Sequence, residues 1–192
     1  MRWQSRTVAG VAALLALLGS APSTAHAAGG SLTIPSVGVH AAPLIRVGTR
    51  QGQVVVPHDV RRVGWWRGSQ PLGAKAGSSL LVGHVADGHG HPGALSRLGR
   101  VRRGDRVRVV WHGRVRWWRV TRISYTARAR DLPARVWRWS GRRTLNLVTC
   151  AHRVVYPNGY YHYRDNLTVT AVPAGKRRSA RSSHAPEPRA DR

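Results

Sequence analysis

Cys150 is the only cysteine in a chain of 192 residues, and it ends the run Leu145-Asn146-Leu147-Val148-Thr149. That run carries apolar and β-branched residues without a helical repeat, so it reads as a strand. The thiol then stands at the strand's C-terminal end, on a rigid element but open to a groove. Pro157-Asn158-Gly159 marks a turn, since Asn-Gly between apolar runs is a strong turn signal. A second strand over residues 167–172 follows, which returns Arg164 close to Cys150. Upstream, His84 stands in an equally pointed context, Leu80-Leu81-Val82-Gly83-His84-Val85. A lone cysteine is often no more than a small buried hydrophobe. Three features oppose that here: the signs of export, which make an idle thiol a liability, the strand-end position, and the setting of His84. A thiol of pKa about 8.5 is a poor nucleophile at neutral pH unless its thiolate is stabilised. A nearby imidazolium or guanidinium would supply that charge. The guanidinium stays protonated and cannot itself act as a base.

Two other clusters invite a function. Asp87-Gly88-His89-Gly90-His91 places two histidines two residues apart in a glycine-rich stretch. With one carboxylate nearby, this reads as a solvated loop rather than a metal site. Eight tryptophans include the pairs Trp65-Trp66 and Trp117-Trp118. The period-2 pleat sends one ring of each pair to the core and the other to a groove wall, which accounts for them without a dedicated glycan site.

The elements that must position these groups are short strands bounded by Gly and Pro. They include residues 32–35, 37–39, 44–47, 54–56, 62–66 and 79–85. Residues 106–111 and 115–125 read as a hairpin turning at His112-Gly113-Arg114. Residues 94–98 make at most one turn of helix before Gly99. Strands repeated at such spacing predict an all-β fold, a closed or nearly closed barrel or else a sandwich.

The ends differ from this body. Residues 1–27 read as an export signal, cleaved or retained as an anchor. Arg2 and Arg6 precede an apolar stretch over 8–18 that is short for a bilayer span, and Ala25-His26-Ala27 is a small-x-small site. Residues 175–192 read as a disordered basic tail with Pro186 and Pro188. The catalytic body is expected over residues 31–174. Lys and Arg number 32 against 7 Asp and Glu, a net charge of +25 carried almost wholly by arginine. The arginines are spread along the chain and alternate with Val or Trp, as in Arg106-Val107-Arg108-Val109. That is the solvent face of half-buried strands, not a nucleic-acid motif. Such a surface attracts anionic envelope polymers instead.

One set of segments, in this order, resembles a sortase of the actinobacterial class F type. It comprises Ile34-Pro35-Ser36-Val37-Gly38-Val39, Val63-Gly64-Trp65-Trp66, Leu81-Val82-Gly83-His84-Val85, Gly93-Ala94-Leu95-Ser96-Arg97-Leu98, Arg103-Gly104-Asp105-Arg106-Val107, Leu147-Val148-Thr149-Cys150 and Tyr163-Arg164-Asp165-Asn166. The resemblance covers residues 32–172. Thr149-Cys150 is specific only when joined to Gly83-His84 upstream.

The resemblance implies a closed eight-stranded β-barrel with one or two short helices, an extracytoplasmic membrane or wall location, and cysteine transpeptidase chemistry without metal or organic cofactor. By position it makes Cys150 the nucleophile, His84 the general acid and base, and Arg164 the group that stabilises the oxyanion and positions substrate, with Arg153 as the rival arginine. It implies an LPxTG-type sorting signal as substrate, cleaved between Thr and Gly through a thioacyl enzyme that a cell-wall precursor amine resolves. Two departures stand out. Ala86 separates Gly83-His84-Val85 from the first acidic residue, Asp87, and Ala151-His152-Arg153-Val154-Val155 replaces the Gly-Gly-x-Phe-Asp frequent after the family's cysteine. His152 is therefore an extra imidazole beside the nucleophile, inert or in competition with His84. Other secreted cysteine enzymes are disfavoured, because neither Cys-Gly-x-Cys-Trp nor Ser-His-Gly-Cys occurs. The remaining alternative is an arginine-rich secreted β-domain that binds anionic wall polymer without catalysis.

Overall fold

The computed structural model describes residues 29–175, so the expected export signal and nearly all of the expected tail lie outside the described residues. The strands are β1 (Gly30–Ile34), β2 (Val39–Val47), β3 (Thr49–Arg50), β4 (Gln53–Val54), β5 (Val63–Trp66), β6 (Ser78–Gly83), β7 (Arg106–Trp111), β8 (Arg114–Ala127), β9 (Thr144–Val155) and β10 (Tyr161–Ala174). Eight of them close a barrel in the order β1-β2-β5-β6-β9-β10-β8-β7, with β3 and β4 as a separate hairpin. Most neighbours are antiparallel; β2–β5 and β6–β9 run parallel. Closure leaves the barrel without a free edge.

Alternation explains most of the strands. In β7, Val107 and Val109 are fully buried while Arg106 and Arg108 flank them. In β8, Trp118 and Val120 are buried and join the same core as Leu32, Leu145, Leu147 and Leu167. A fully buried leucine contributes about 1.5–3 kcal/mol relative to an exposed one. The predicted turn between β7 and β8 shrinks to His112 and Gly113, both in the left-handed region at φ 47° and 70°, which suits a two-residue hairpin. Of each tryptophan pair, Trp65 and Trp118 enter the main core. Trp66 packs on a second, outer cluster, and Trp117 lies under the Arg106 guanidinium.

The outer cluster shapes the site. Val47, Leu80, Val82, Val136 and Val148 pack together on the outside of the barrel, with Leu132 against them. A 3-10 turn at Ala134–Trp137 covers them. Strand β6 and the Thr144–Thr149 part of β9 are thus buried on both faces, so their sequences read as continuous runs rather than alternating ones. Among the described residues the helical elements are three short 3-10 turns, at Pro35–Val37, Leu98–Arg100 and Ala134–Trp137. The first interrupts what reads as strand, because Pro35 starts it and Gly38 ends it at φ 69°. No helix among the described residues is long and apolar enough to cross a membrane.

Candidate active site

Strand β9 changes character at Cys150. From Thr144 to Thr149 every residue is buried, and the strand has two partners. Strand β6 pairs with it from Ser78↔Thr144 to Val82↔Val148, and β10 pairs on the other side. Beyond that point only β10 continues, as far as Tyr161↔Val155. Cys150 is half-buried and is the first residue past the closed part. The sequence reading placed it at the strand's end, but β9 runs on for five residues to Val155. The chain turns only at residues 156–160, where Tyr156 N–H donates to the Tyr160 carbonyl at 2.8 Å. The extension is held by pairing to β10, not by apolar burial, and so leaves no apolar pattern.

His84 follows β6 directly. The Thr149 hydroxyl donates to the Gly83 carbonyl at 2.7 Å, which carries the parallel register one step past Val82↔Val148. One step further, His84 follows the last residue of β6 as Cys150 follows Thr149 on β9. Val82 and Val148 share the outer cluster, and alternate positions of a strand share a face.

The Pro57 carbonyl accepts a hydrogen bond from His84 Nε2 at 3.0 Å. A carbonyl can only accept, so Nε2 carries a proton and Nδ1 is left as the proton-accepting nitrogen of the neutral ring. The backbone of His84 is fixed from behind: Leu95 N–H donates to its carbonyl at 3.0 Å, and a Cβ on Gly93 would stand 2.3 Å from that oxygen. Only glycine fits there. The loop that follows is closed by Asp87, whose carboxylate accepts from His91 Nδ1 at 2.7 Å and from the backbone N–H of His89 and His91. The Tyr161 hydroxyl donates to the Asp87 carbonyl oxygen at 2.6 Å and ties this loop to the β9–β10 hairpin.

On the other side of β9, Asn166 pairs with Cys150, and Arg164 sits two residues earlier on β10. Strand register thus brings Arg164 beside the cysteine, as the sequence predicts. Its guanidinium, however, is turned onto the next residue: Nε donates to Asp165 Oδ2 at 3.1 Å, and the side chain is 66% exposed. The rival Arg153 lies with its guanidinium carbon 5.1 Å from the centroid of the Tyr161 ring. Burial pushes the Cys150 thiol above its ordinary pKa, and the positive charge of Arg128 pulls it back down. Arg128 follows the end of β8, and its backbone N–H donates to the Arg164 carbonyl at 3.0 Å. Sequence reasoning missed Arg128, because it stands in the unremarkable run Ala127-Arg128-Ala129-Arg130. It also missed Asp165 as a partner of His152. Asp165 Oδ2 accepts from His152 Nδ1 at 2.5 Å, and this bond, with that from Arg164, holds the carboxyl below its usual range.

A cavity of about 230 Å³ opens at this point, lined by Cys150, His152, Tyr125, Tyr163 and Ser96 among others. Among the described residues no cluster of three His, Cys, Asp or Glu side chains could hold a metal ion.

A family model for the sortase domain matches residues 32–174 of the chain. The chain belongs to the sortase family. Solved structures with the same fold include the lid mutant of sortase A from Corynebacterium diphtheriae, 18% identical, with 78% of this chain and 72% of that one covered at a TM-score of 0.59. Sortase C-1 from Actinomyces oris is 21% identical over 77% and 74% of the two chains, TM-score 0.59. Sortase C1 from Streptococcus agalactiae is 23% identical over 77% and 68%, TM-score 0.58. At these identities the likeness is one of fold. No curated protein sequence matches the chain significantly. The eight-stranded closed barrel expected from the sequence is the fold these sortases share.

Proposed function

We propose that this sortase-family chain is a class F-type cysteine transpeptidase acting on the extracytoplasmic side of the membrane or in the wall. It cleaves an LPxTG-like sorting signal between Thr and Gly and joins the surface protein to a cell-wall amine. The observation that supports this reading is the parallel β6–β9 register, which runs on to Gly83 and Thr149, the residues just before His84 and Cys150.

In the first half-reaction the Cys150 thiolate attacks the threonine carbonyl carbon, and the C–N bond to glycine breaks. His84 Nδ1, the nitrogen free to receive the Cys150 thiol proton when the thiolate forms, passes that proton to the departing glycine amine. Arg164 leaves Asp165 to bind substrate carbonyls and the developing oxyanion. A buried thiol raised by desolvation needs such positive neighbours to ionise at neutral pH, and Arg128 supplies part of that charge. In the second half-reaction an amine attacks the thioester carbonyl carbon, its N–H proton passes to an imidazole beside the cysteine, the C–S bond breaks, and Cys150 leaves as thiolate. Neither step calls for a metal or organic cofactor. The excess of arginine favours contact with anionic envelope polymers around the substrate.

The test is turnover of a quenched Leu-Pro-Ala-Thr-Gly peptide with a glycine-type amine by residues 31–174. Cleavage and ligation are expected in the wild type, with losses on the order of 10³-fold or more in His84→Ala. A folded protein that cleaves no peptide of a sorting-signal panel, yet binds anionic wall polymer in a salt-sensitive way, would replace this reading with the non-catalytic one.

A further inference from the structure

Cys150 has an imidazole on either side. His84 stands on the β6 side, whereas His152 follows the cysteine by two residues on β9 and lines the 230 Å³ cavity together with it. Three observations separate His152 from an idle surface histidine. Its backbone is held in the left-handed region at φ 55° inside a strand, which a side chain with a Cβ adopts at a cost and which clusters at functional positions. Its ring stacks on Tyr125 with centroids 4.5 Å apart and planes at 27°. Its Nδ1 donates to Asp165 Oδ2 at 2.5 Å, while the same carboxylate oxygen accepts from Arg164 Nε at 3.1 Å. With Nδ1 carrying the proton, Nε2 is the basic nitrogen of the neutral ring, and a carboxylate behind it stabilises the imidazolium that forms on protonation.

The cavity also differs in charge from its neighbour. No Lys or Arg lines it, although the chain has 32 of them. A larger cavity of about 460 Å³, on the other side of the segment around Ser96, is lined by Arg61, Arg97 and His40. An amine in equilibrium with its ammonium form is repelled by the second and tolerated by the first, whose walls include Tyr125 and Tyr163.

We infer that the cavity beside Cys150 is the acceptor subsite, taking a primary amine on a short chain, with His152 as its general base and Asp165 as the residue that positions His152. The inference rests on the thioacyl reading above. The amine nitrogen attacks the thioester carbonyl, its N–H proton passes to His152 Nε2, the C–S bond breaks, and the electron pair leaves on Cys150 sulfur. The imidazolium then gives its proton to the departing thiolate or, through solvent, to His84, which lost one in the first half-reaction, and this restores the resting protein. Because Asp165 also holds Arg164, the two half-reactions meet at one carboxylate.

The experiment is a partition measurement. Sorting peptide is supplied with increasing glycine-type amine, and the ratio of ligated to hydrolysed product is followed beside the acyl-enzyme level by intact-mass spectrometry. His152→Gln and Asp165→Asn are expected to form the acyl enzyme but to lower the ligated-to-hydrolysed ratio about tenfold or more, with hydrolysis and accumulated adduct taking its place. Melting and Cys150 alkylation report whether each variant is folded. Asp165→Glu should recover part of the ratio. Acyl enzyme in the wild type with an unchanged ratio in both folded variants would overturn the acceptor role while leaving the sortase reading intact. Absence of any acyl enzyme in the wild type would remove the reading on which it rests.

Discussion

The two halves of β9 obey different rules. Thr144–Thr149 is a core element, buried on both faces and paired with β6 and β10. Residues 150–155 belong to the same strand, have one partner, and carry half-buried or exposed side chains. Cys150 stands at the border. A nucleophile needs a rigid backbone and an open approach, and one strand supplies both by losing a neighbour at the right residue. The first half sets where the thiol is, and the second half sets what surrounds it: His152, Asp165, Arg164 and, from β8, Arg128.

Mutations should expose the division. The largest effect on stability belongs to the closed half: Leu147→Ala leaves a cavity at a fully buried site and should cost about 2–5 kcal/mol by denaturant unfolding. A cost below about 1 kcal/mol would mean that this half is not the anchor. Asn146 is fully buried, donates to the Ser78 hydroxyl at 2.6 Å and accepts from the Thr170 hydroxyl at 2.7 Å. Asn146→Ala removes the partner of the Ser78 hydroxyl and leaves the Thr170 hydroxyl with Arg135 alone, and should cost about 1–3 kcal/mol in the same measurement.

In the open half the expected effects are chemical. The thiolate is the form that alkylates. Burial raises the Cys150 pKa and Arg128 lowers it, so Arg128→Ala should move the pH profile of Cys150 alkylation to higher pH. Below the midpoint it slows the reaction, while the plateau rate at high pH is unchanged. A shift to lower pH, or none, would remove Arg128 from the account. Smallest of all, Val155→Ala at an exposed position should change stability by less than about 0.5 kcal/mol.

The sequence displayed these halves unequally. Apolar runs announced β6 and the buried part of β9, and Gly/Pro punctuation announced the turns, so an all-β fold was legible from the residues, while the choice of a barrel over a sandwich and the pairing of His84 with Cys150 rested on the family resemblance. The second half of β9 was not. Ala151-His152-Arg153-Val154-Val155 shows neither a buried run nor clean alternation, because pairing to β10 rather than burial makes it a strand. Arg164 could be placed beside Cys150 from the turn at Asn158-Gly159, but its hydrogen bond to Asp165 depends on side-chain direction, which spacing does not encode. Arg128 acts on the thiol from just past the end of β8, 22 residues earlier in the sequence (150 − 128), and one arginine among so many carries no signal. The same holds for Asp165: a carboxylate beside an arginine in sequence looks like a local pair, whereas its shorter bond is to His152 across the ladder.

The most direct test of the account is intact-protein mass spectrometry of residues 31–174 mixed with a Leu-Pro-Ala-Thr-Gly peptide and quenched in acid. The predicted result is a mass increase equal to the peptide up to threonine, located on Cys150 by digestion and absent from Cys150→Ala. An unmodified Cys150 in a folded protein whose thiol still alkylates, across a panel of sorting peptides, would contradict it.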